Sequence, residues 1–300
     1  MEQAWIPTPE RPVVEAPLVN FLLSHELAVR LGAFLGVLAL MAVWEWLAPR
    51  RALAVSKARR WASNLGIVFL NSALLRIIFP ATAVAIAVLA QERGWGLLNQ
   101  HDAPFAIAVV ASVIALDLAI YLQHVMFHAV PALWRLHRMH HADLDFDVTT
   151  GARFHPIEIL LSMLIKLAVI VVIGPPAVAV MIFEVLLNAT AMFNHANVRL
   201  PPAADRLLRL VLVTPDMHRV HHSVEEHETN SNFGFNLPLW DRLFRTYKAQ
   251  PDAGHERMTI GIRGYRAPKL VSDLPGMLVL PFLGEDTGYA INRRQWETET

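Results

Sequence analysis

Histidine is the residue type in this sequence whose number and spacing point most directly to chemistry. Of its 14 histidines, five lie between positions 124 and 141 and four between 218 and 227. The first two, His124 and His128, are four residues apart, so on a helix both imidazoles project from one face. The spacing i, i+3, i+4 then occurs twice, first in His137, His140 and His141 and again in His218, His221 and His222. A lone histidine is usually a surface residue, but this recurrence indicates a metal site.

The number of candidate ligands indicates two metal ions. Neutral imidazole suits iron, zinc, copper and nickel, and eight or nine imidazoles exceed the four to six ligands of one ion. The chain contains no cysteine, which excludes disulfides, iron–sulfur clusters and thiolate zinc sites. Any metal must therefore bind to His, Asp or Glu. The formal net charge is zero and no basic run is present, so nothing supports nucleic-acid binding.

The elements that must position these histidines are membrane helices. Hydrophobic residues make up 54% of the chain, charged residues only 17%, and the mean hydropathy is +0.37. This composition predicts an all-α, polytopic membrane bundle of about four spans, in which a hairpin counts as one. Three apolar segments precede the first histidine pair, at residues 29–48, 64–89 and 103–122. Within the second, Arg76 and Pro80 leave open whether one span or two half-helices form.

Charge predicts the side of the membrane on which the histidines lie. A positive stretch follows the first span, formed by Arg50, Arg51, Lys57, Arg59 and Arg60. The positive-inside rule places this loop in the cytoplasm, and the second and third spans, running outward and then inward, deliver His124 to the same face. We therefore expect a multi-pass protein of the cell (inner or plasma) membrane whose metal site lies in a cytoplasmic helical cap.

The hairpin is predicted between residues 157 and 193. Gly174-Pro175-Pro176 divides this apolar stretch into two antiparallel helices that re-enter or span the membrane from the cytoplasmic side. Lys166 and Glu184 lie nine residues on either side of Pro175, at similar depth, and the favoured interpretation is a structural ion pair. The chain then emerges at His195, on the face where His124 lies.

The sequence divides into four segments on this interpretation. Residues 1–28 form a polar, proline-rich tail, 29–102 the N-terminal spans, 103–250 the histidine-box domain, and 251–300 a C-terminal interfacial tail. Residues 207–213 and 274–283 are expected to lie along the membrane interface. Pro131 breaks the helix of the first box, while Thr214 and Pro215 start that of the third.

The three histidine boxes and their surroundings resemble the fatty acid hydroxylase and sterol desaturase superfamily, in its bacterial branch. The resemblance extends to Leu133-Trp134-Arg135-Leu136-His137, to residues 147–158, to Asn232-Phe233-Gly234 and to residues 239–247. It covers about residues 105–250. It implies a non-haem di-iron centre, O2 as co-substrate, a lipid as substrate, and hydroxylation or desaturation of a C–H bond. The eight box histidines are then the metal ligands through which catalysis proceeds.

Further positions gain an interpretation from this resemblance. His195 resembles an additional ligand of the family, although Ala191 stands where some members have another histidine. His155 is left open between a ligand and an anchor for the hairpin. Asp117, Glu158 and Asp216 are candidates to orient the ligands, together with Asp143, Asp145 and Asp147. Asp117 has the alternative of pairing with Arg76. His227 is a loop residue or a supporting one, and His25, His101 and His255 are predicted to be surface residues.

Two electrons are needed for each turnover, and the sequence has no dinucleotide fingerprint, cysteine cluster or haem domain. We therefore expect a separate reductase or electron carrier to dock on the cytoplasmic face. Ether-lipid monooxygenation within the same superfamily is the alternative activity. A histidine-rich metal transporter is disfavoured because its ligands would lie near the bilayer midplane. A membrane haem protein or an inactive scaffold would not need three boxes.

Overall fold

The computed structural model describes residues 17–284 and 288–291, which form fifteen α-helices. In chain order these are α1 Pro17–Ser24, α2 Glu26–Leu47, α3 Lys57–Ile78, α4 Ala83–Glu92, α5 Leu97–Gln100, α6 Phe105–Ala129, α7 Pro131–His141, α8 Pro156–Ile173, α9 Ala177–Asn194, α10 Pro202–Leu208, α11 Pro215–His221, α12 Glu226–Thr229, α13 Leu239–Leu243, α14 Pro268–Ser272 and α15 Leu274–Val279. Short 3-10 helices occur at Thr150–Ala152 and Leu280–Phe282. Between residues 17 and 291, outside the 285–287 gap, β-structure is limited to isolated bridges, which confirms the predicted all-α class.

Five segments are long and apolar enough to cross a membrane: Glu26–Leu47, Lys57–Gln100, Phe105–Ala129, Pro156–Ile173 and Ala177–Asn194. The last two are the arms of the predicted hairpin, so the polytopic bundle is confirmed. Large apolar side chains point outward from it, among them Phe69 at 77% and Ile107 at 60% exposure. A soluble protein rarely leaves such a surface in water, whereas lipid tails cover it at no cost.

The second apolar segment forms two helices rather than one. α3 ends at Ile78, Pro80 follows, and Thr82 caps α4 by accepting a hydrogen bond from Ala85 N at 3.1 Å. At its start α4 is close to the beginning of α2, where Thr82 Oγ1 lies 3.3 Å from a carboxylate oxygen of Glu26. Just beyond its end, Gly96 packs against the hairpin turn. Both ends of α4 therefore lie at the end of the bundle away from the histidines.

Gly174 is required at the hairpin turn between α8 and α9. It ends α8 in the left-handed conformation, with φ of +67°. A Cβ atom here would lie only 2.5 Å from the carbonyl oxygen of Trp95, so a side chain would clash as well as strain the backbone. The turn signal seen in the sequence thus has a packing reason in addition to a conformational one.

The opposite end of the bundle gathers the histidines. α2, α6 and α9 end there, while α3 and α8 begin there, and an antiparallel bridge joins Pro49 after α2 to Val198 after α9. α7 lies across this end, held by its contact with α6. Alternation of the spans therefore brings His124 and His195 to one end, as the sequence predicted.

The C-terminal segment packs over the second histidine box. A buried core joins Trp134 and Met139 of α7 with residues beyond position 251: Ile262, Val271, Met277, Leu280, Tyr289 and Ala290. In the patch expected at the interface, Met277 and Leu280 are buried while Phe282 is 62% exposed. The four-segment division of the chain stays a prediction, and these contacts make the last segment part of the cap. Residues 1–16 of the predicted N-terminal tail lie outside the described residues.

Candidate metal centre

Nine buried imidazoles come from four helices at the histidine-bearing end. α6 carries His124 and His128, α7 carries the second box, and His195 is the residue that ends α9. α11 carries His218 and His221 and is followed at once by His222. Thr214 starts α11 as the sequence predicted, since its side chain accepts a hydrogen bond from Met217 N at 3.4 Å. The most exposed of the nine, His124, is only 3% exposed.

The nine imidazoles form two groups, in each of which one nitrogen per residue lies within 4.8 Å of all the others. The first group is His124, His128, His137, His141 and His221, and the second is His140, His195, His218 and His222. In the second and third boxes, the two histidines spaced i, i+4 therefore belong to one group, and the remaining histidine of the box belongs to the other. The spacing that indicated two ions in the sequence thus divides the ligands between two sites.

Within each group the Nε2 atoms point at one another. His124 Nε2 lies 3.1 Å from Nε2 of both His137 and His221, and His195 Nε2 lies 3.1 Å from that of His218 and 3.3 Å from that of His140. Imidazole nitrogens bound at about 2.1 Å to one ion are separated by about 3.0–3.4 Å. The spacing therefore fits shared coordination of a cation.

The outer nitrogens of six imidazoles have acceptors that fix the tautomer. Backbone carbonyls accept from Nδ1 of four of them: Phe233 O from His124 at 2.7 Å, Arg153 O from His140 at 3.1 Å, Ala191 O from His195 at 2.8 Å and Ser231 O from His221 at 2.7 Å. Two side chains complete the set, Asn230 on His128 at 3.1 Å and Glu158 on His137 at 2.6 Å. With Nδ1 protonated, Nε2 of a neutral ring carries the lone pair that a metal needs.

Several ring nitrogens of the two groups are buried without a hydrogen-bond partner among the described residues. They are His128 Nε2, His218 Nδ1 and both ring nitrogens of His141 and His222. Buried polar atoms are nearly always paired, so a cluster of such atoms calls for a ligand. The donor set, its spacing and these orphaned nitrogens fit two metal ions held by imidazole.

Burial keeps the imidazoles of the cap neutral. It lowers the pKa of His137 and of His195 to about 3. For His140, His141, His218, His221 and His222, burial and neighbouring imidazoles hold the pKa well below the usual 6.5. A neutral ring offers its lone pair to a cation, so the environment favours metal binding over protonation.

A buried ionic network supports the second box from below. Arg60 donates to Asp143 at 2.7 and 2.8 Å and to Asp147 at 2.5 Å, and all three are fully buried. Burial alone would raise the pKa of Asp143, but Arg60 and Arg153 hold it at about 2. Arg153 also donates to Met139 O at 3.0 Å, while its own carbonyl accepts from His140. The sequence placed Arg60 in a cytoplasmic loop, whereas the structure buries it in ion pairs that connect α3 to the segment after the second box.

Of the six acidic candidates for orienting ligands, Glu158 alone contacts an imidazole of the two groups. Asp143 and Asp147 bind Arg60, while Asp145 accepts from Ala54 N and Val55 N at 2.9 and 2.7 Å. Asp216 pairs with Arg219 and with Arg50.

Asp117 plays a different part from both roles predicted for it. It accepts from Asn236 Nδ2 and from Trp240 Nε1, each at 2.8 Å, rather than pairing with Arg76. It thereby fixes the segment that follows the third box.

The five other histidines lie outside both groups. His155 caps α8: its Nδ1 accepts from Ile157 N and its Nε2 lies 3.3 Å from Leu278 O, so both nitrogens have protein partners. His25 and His101 are exposed, as predicted. His227 is exposed and bonds to Asp252 at 2.7 Å. The prediction for His255 is wrong, because it is 6% exposed, and burial lowers its pKa to about 4 despite Asp216 at 3.7 Å.

Asn230, Ser231 and Phe233 are functional positions that the histidine pattern missed. They accept hydrogen bonds from three imidazoles of the two groups, yet two of them do so through backbone carbonyls, which leave no signal in residue type. The nearest signal was Asn232, which has a positive φ of 51° and whose side chain bonds to Met217 O and Lys248 O. It thereby shapes the turn that aims the carbonyls of its neighbours.

A cavity of about 320 Å³ leads away from the first group into the bundle. His124 and His137 form its metal end, and Lys166, Glu184 and Arg30 line its far part. Apolar side chains make up most of the wall between them, including Phe34, Val68, Ile120, Phe127, Met163 and Leu187. Such a shape and lining suit a chain-like apolar ligand that reaches the metal centre from within the membrane.

Comparison with known proteins agrees with this geometry. Residues 109–246, which contain all three boxes and His195, match the fatty acid hydroxylase family model. Residues 109–246 therefore carry a fatty acid hydroxylase domain, in agreement with the resemblance seen in the histidine boxes.

Its relatives include proteins named as lipid-modifying enzymes. An ornithine lipid hydroxylase of Rhizobium tropici is 26% identical over 250 residues, 80% of this chain and 73% of that protein. The alkylglycerol monooxygenases of Homo sapiens and Xenopus tropicalis are 28% and 31% identical, covering 51% and 45% of this chain. The chain spans only 32% and 29% of those two proteins. No solved structure matches the chain.

Proposed function

We propose that this protein is a membrane-bound, non-haem di-iron oxidoreductase that hydroxylates a C–H bond of a lipid. The observation that carries the proposal is the pair of buried imidazole groups at the metal end of an apolar cavity. The reaction would insert one atom of O2 into the C–H bond and release the other as water, using two electrons and two protons from a separate donor.

The two irons would be held by the nine histidines of the two groups and would supply the redox chemistry with O2 that imidazoles alone cannot perform. The protein's own contribution is positional. Hydrogen bonds donated by Nδ1 orient six rings so that Nε2 faces the centre, and complete burial excludes water from that side of the rings. The cavity would hold an acyl or alkyl chain with one carbon beside His124 and His137.

The relatives support a lipid substrate without identifying it. One is named for ornithine lipid and two for alkylglycerols, which share long apolar chains attached to a polar group. The similarity to alkylglycerol monooxygenases keeps ether-lipid monooxygenation as the second candidate. The absence of cysteine makes an external reductase or small electron carrier, docked on a cytoplasmic cap, part of the proposal.

Iron content tests the centre directly. Protein purified without oxygen and loaded with iron should hold two irons per chain, seen by metal analysis and Mössbauer spectroscopy. His140→Ala should lose iron, because it removes a ligand of the four-histidine group. His101→Ala is the matched control, since that histidine is exposed and outside both groups. Fewer than two irons in the loaded wild type, with no loss in His140→Ala, would overturn the proposal.

A further inference from the structure

The cavity beside the metal centre contains polar atoms that a plain hydrocarbon chain would leave unsatisfied. Three side-chain oxygens that line it are buried and have neither a hydrogen-bond partner nor a cation within salt-bridge distance among the described residues: Asn71 Oδ1, Gln123 Oε1 and Glu158 Oε2. They come from α3, α6 and α8, so no single helix accounts for them. A buried acceptor without a donor costs roughly as much as a lost hydrogen bond, and three on one cavity wall indicate a ligand that donates.

Asn71 is the clearest of the three. Its amide nitrogen donates to the carbonyl oxygen of Phe154 at 2.9 Å, which fixes the amide oxygen on the other side. The residue is 6% exposed and lines the cavity. The ring of Phe154 stacks on that of His140, with the ring centroids 4.5 Å apart. Asn71 is therefore hydrogen-bonded to a residue that directly contacts a proposed metal ligand.

Glu158 and Gln123 place the other two oxygens at the same end. Glu158 uses one oxygen for His137 Nδ1 at 2.6 Å, and its second oxygen is left without a partner. Gln123 directly precedes His124, and its amide nitrogen lies 3.0 Å from the hydroxyl of Ser162, one turn beyond Glu158. All three acceptors therefore lie beside ligands of the metal centre rather than at the far part of the cavity.

In the far part of the cavity Glu184 Oε2 also lacks a hydrogen-bond partner, but unlike the other three oxygens it has a cation beside it. Lys166 Nζ lies 2.7 Å from one oxygen of Glu184, and Arg30 lies 3.1 Å from the other. Arg30 also pairs with Glu26 at 2.7 Å, so two cations and two carboxylates balance one another. The cavity oxygens that have neither a hydrogen-bond partner nor a neighbouring cation are therefore those near the histidines.

We propose that the lipid bound in this cavity carries a hydrogen-bond donor, a hydroxyl or an amide N–H, close to the carbon that reacts. The inference rests on the proposed function and narrows its substrate to polar lipids oxidised near their polar group. An unsubstituted chain would bury the three oxygens without replacing the water they lose, and would bind more weakly.

Matched lipid pairs test this on the full-length, iron-loaded protein. Without oxygen no turnover occurs, so binding of radiolabelled probes in detergent can be measured at equilibrium. N-Methylhexadecanamide has one N–H that N,N-dimethylhexadecanamide lacks, and 1-hexadecanol has an O–H that its methyl ether lacks. We expect the donor in at least one pair to tighten binding about tenfold, as a net hydrogen bond to a buried acceptor would. The pair that responds distinguishes an amide from a hydroxyl.

A matched substitution locates the effect. Asn71→Leu should abolish the preference for the donor while retaining the apolar wall. Asn188→Leu, the same change in the far part of the same cavity, should keep it. Equal binding within both pairs by the wild type overturns the inference, as does binding of none of the four probes or an undiminished preference in Asn71→Leu.

The wild-type comparison needs no variant, so it stands even if Asn71→Leu folds poorly. It is also separate from the iron assay. If both members of each probe pair bind equally and two irons are present, the proposed lipid class is rejected while the proposed oxygenase stands. If the donor probe is preferred but no iron is bound, the proposed oxygenase is rejected while the lipid class stands.

Discussion

His137 shows how the protein positions the imidazole of a single proposed metal ligand. Its Nδ1 donates to Glu158, a buried carboxylate on another helix, while its Nε2 faces those of the first group. The carboxylate fixes the orientation of the ring and increases the basicity of Nε2. Among the described residues it is the one acidic side chain that forms a hydrogen bond with a histidine of the two groups.

Removal of this carboxylate should weaken iron binding. Glu158→Ala is expected to lower the iron affinity about 10- to 100-fold, as loss of such a partner generally does. Glu158→Gln should recover most of the affinity because its amide oxygen can still accept from His137. Competition with a chelator measures the effect, with the surface variant Glu256→Ala as control. An unchanged affinity in Glu158→Ala would show that His137 needs no orienting partner.

The buried imidazoles also predict how pH affects the iron-free protein. The pKa of His137 and His195 is about 3 in the folded chain, against 6.5 when exposed. Below pH 6.5 these histidines therefore bind protons in the unfolded chain but not in the folded chain. The free energy of unfolding consequently falls as the pH falls toward 3. Each such residue contributes up to about 1.4 kcal/mol per pH unit.

Thermal unfolding of iron-free protein in detergent, measured from pH 7.5 to pH 5, checks this dependence. The transition temperature should fall steadily on acidification, and His195→Asn should make the decline shallower. A transition temperature independent of pH over this range would show that the imidazoles are not held neutral by burial.

At the scale of elements, α8 and α9 are joined by a charge pair within the membrane. The sequence predicted that Lys166 and Glu184 meet, and they lie 2.7 Å apart. Arg30 of α2 joins them at 3.1 Å, which the sequence did not indicate because α2 lies more than 100 residues earlier. The carboxylate of Glu184 thus forms ion pairs with two cations from two different helices.

This asymmetry predicts unequal costs for removing the two partners. Glu184→Gln leaves Lys166 without a counter-charge and Arg30 with Glu26 alone, and it should destabilise by roughly 3 kcal/mol or more. Lys166→Met should cost less, since Arg30 still neutralises Glu184. The double variant Lys166→Met with Glu184→Gln should be more stable than Glu184→Gln alone. Thermal unfolding in detergent ranks the three, and equal losses for both single variants would contradict a shared carboxylate.

The features that could be predicted from the sequence are those that depend on residue type and spacing within a short segment. The i, i+3, i+4 pattern identified six of the clustered imidazoles and the i, i+4 pair two more, and Gly174-Pro175-Pro176 located the hairpin turn. His195 required the resemblance to a family, because one histidine at a helix end has no pattern of its own.

The features that sequence missed depend on contacts between distant segments. Arg60 reaches Asp143 across 83 positions, and nothing in the loop around it distinguished this buried cation from its exposed neighbours. The C-terminal segment reads as an interfacial tail because its apolar run is short, yet Met277 and Leu280 fill a core made by α3 and α7. Backbone carbonyl acceptors such as Phe233 O carry no residue-type signal at all.

At the scale of the whole molecule, the fold gives the two ends of the bundle different characters. The histidine end carries the cap, where the loop between α2 and α3 contributes Arg50 and Arg51 and the first turn of α3 contributes Lys57 and Arg59. Their acidic partners, such as Asp216 for Arg50 and Asp273 for Arg59, do not weaken the orientation rule, which counts Lys and Arg and gives acidic residues little weight. We therefore propose that the cap and the metal centre face the cytoplasm.

The absence of cysteine makes this orientation testable with single introduced thiols. Gln100 ends α5 at the far end of the bundle, and Gln250 follows the third box in the cap, and both are exposed. A maleimide that cannot cross membranes should label Gln100→Cys in intact cells, because that end faces outward. It should label Gln250→Cys only after the cells are opened, while the cysteine-free wild type sets the background in both conditions. Labelling of Gln250→Cys in intact cells, with Gln100→Cys protected, would reverse the orientation and place the electron donor on the opposite side of the membrane.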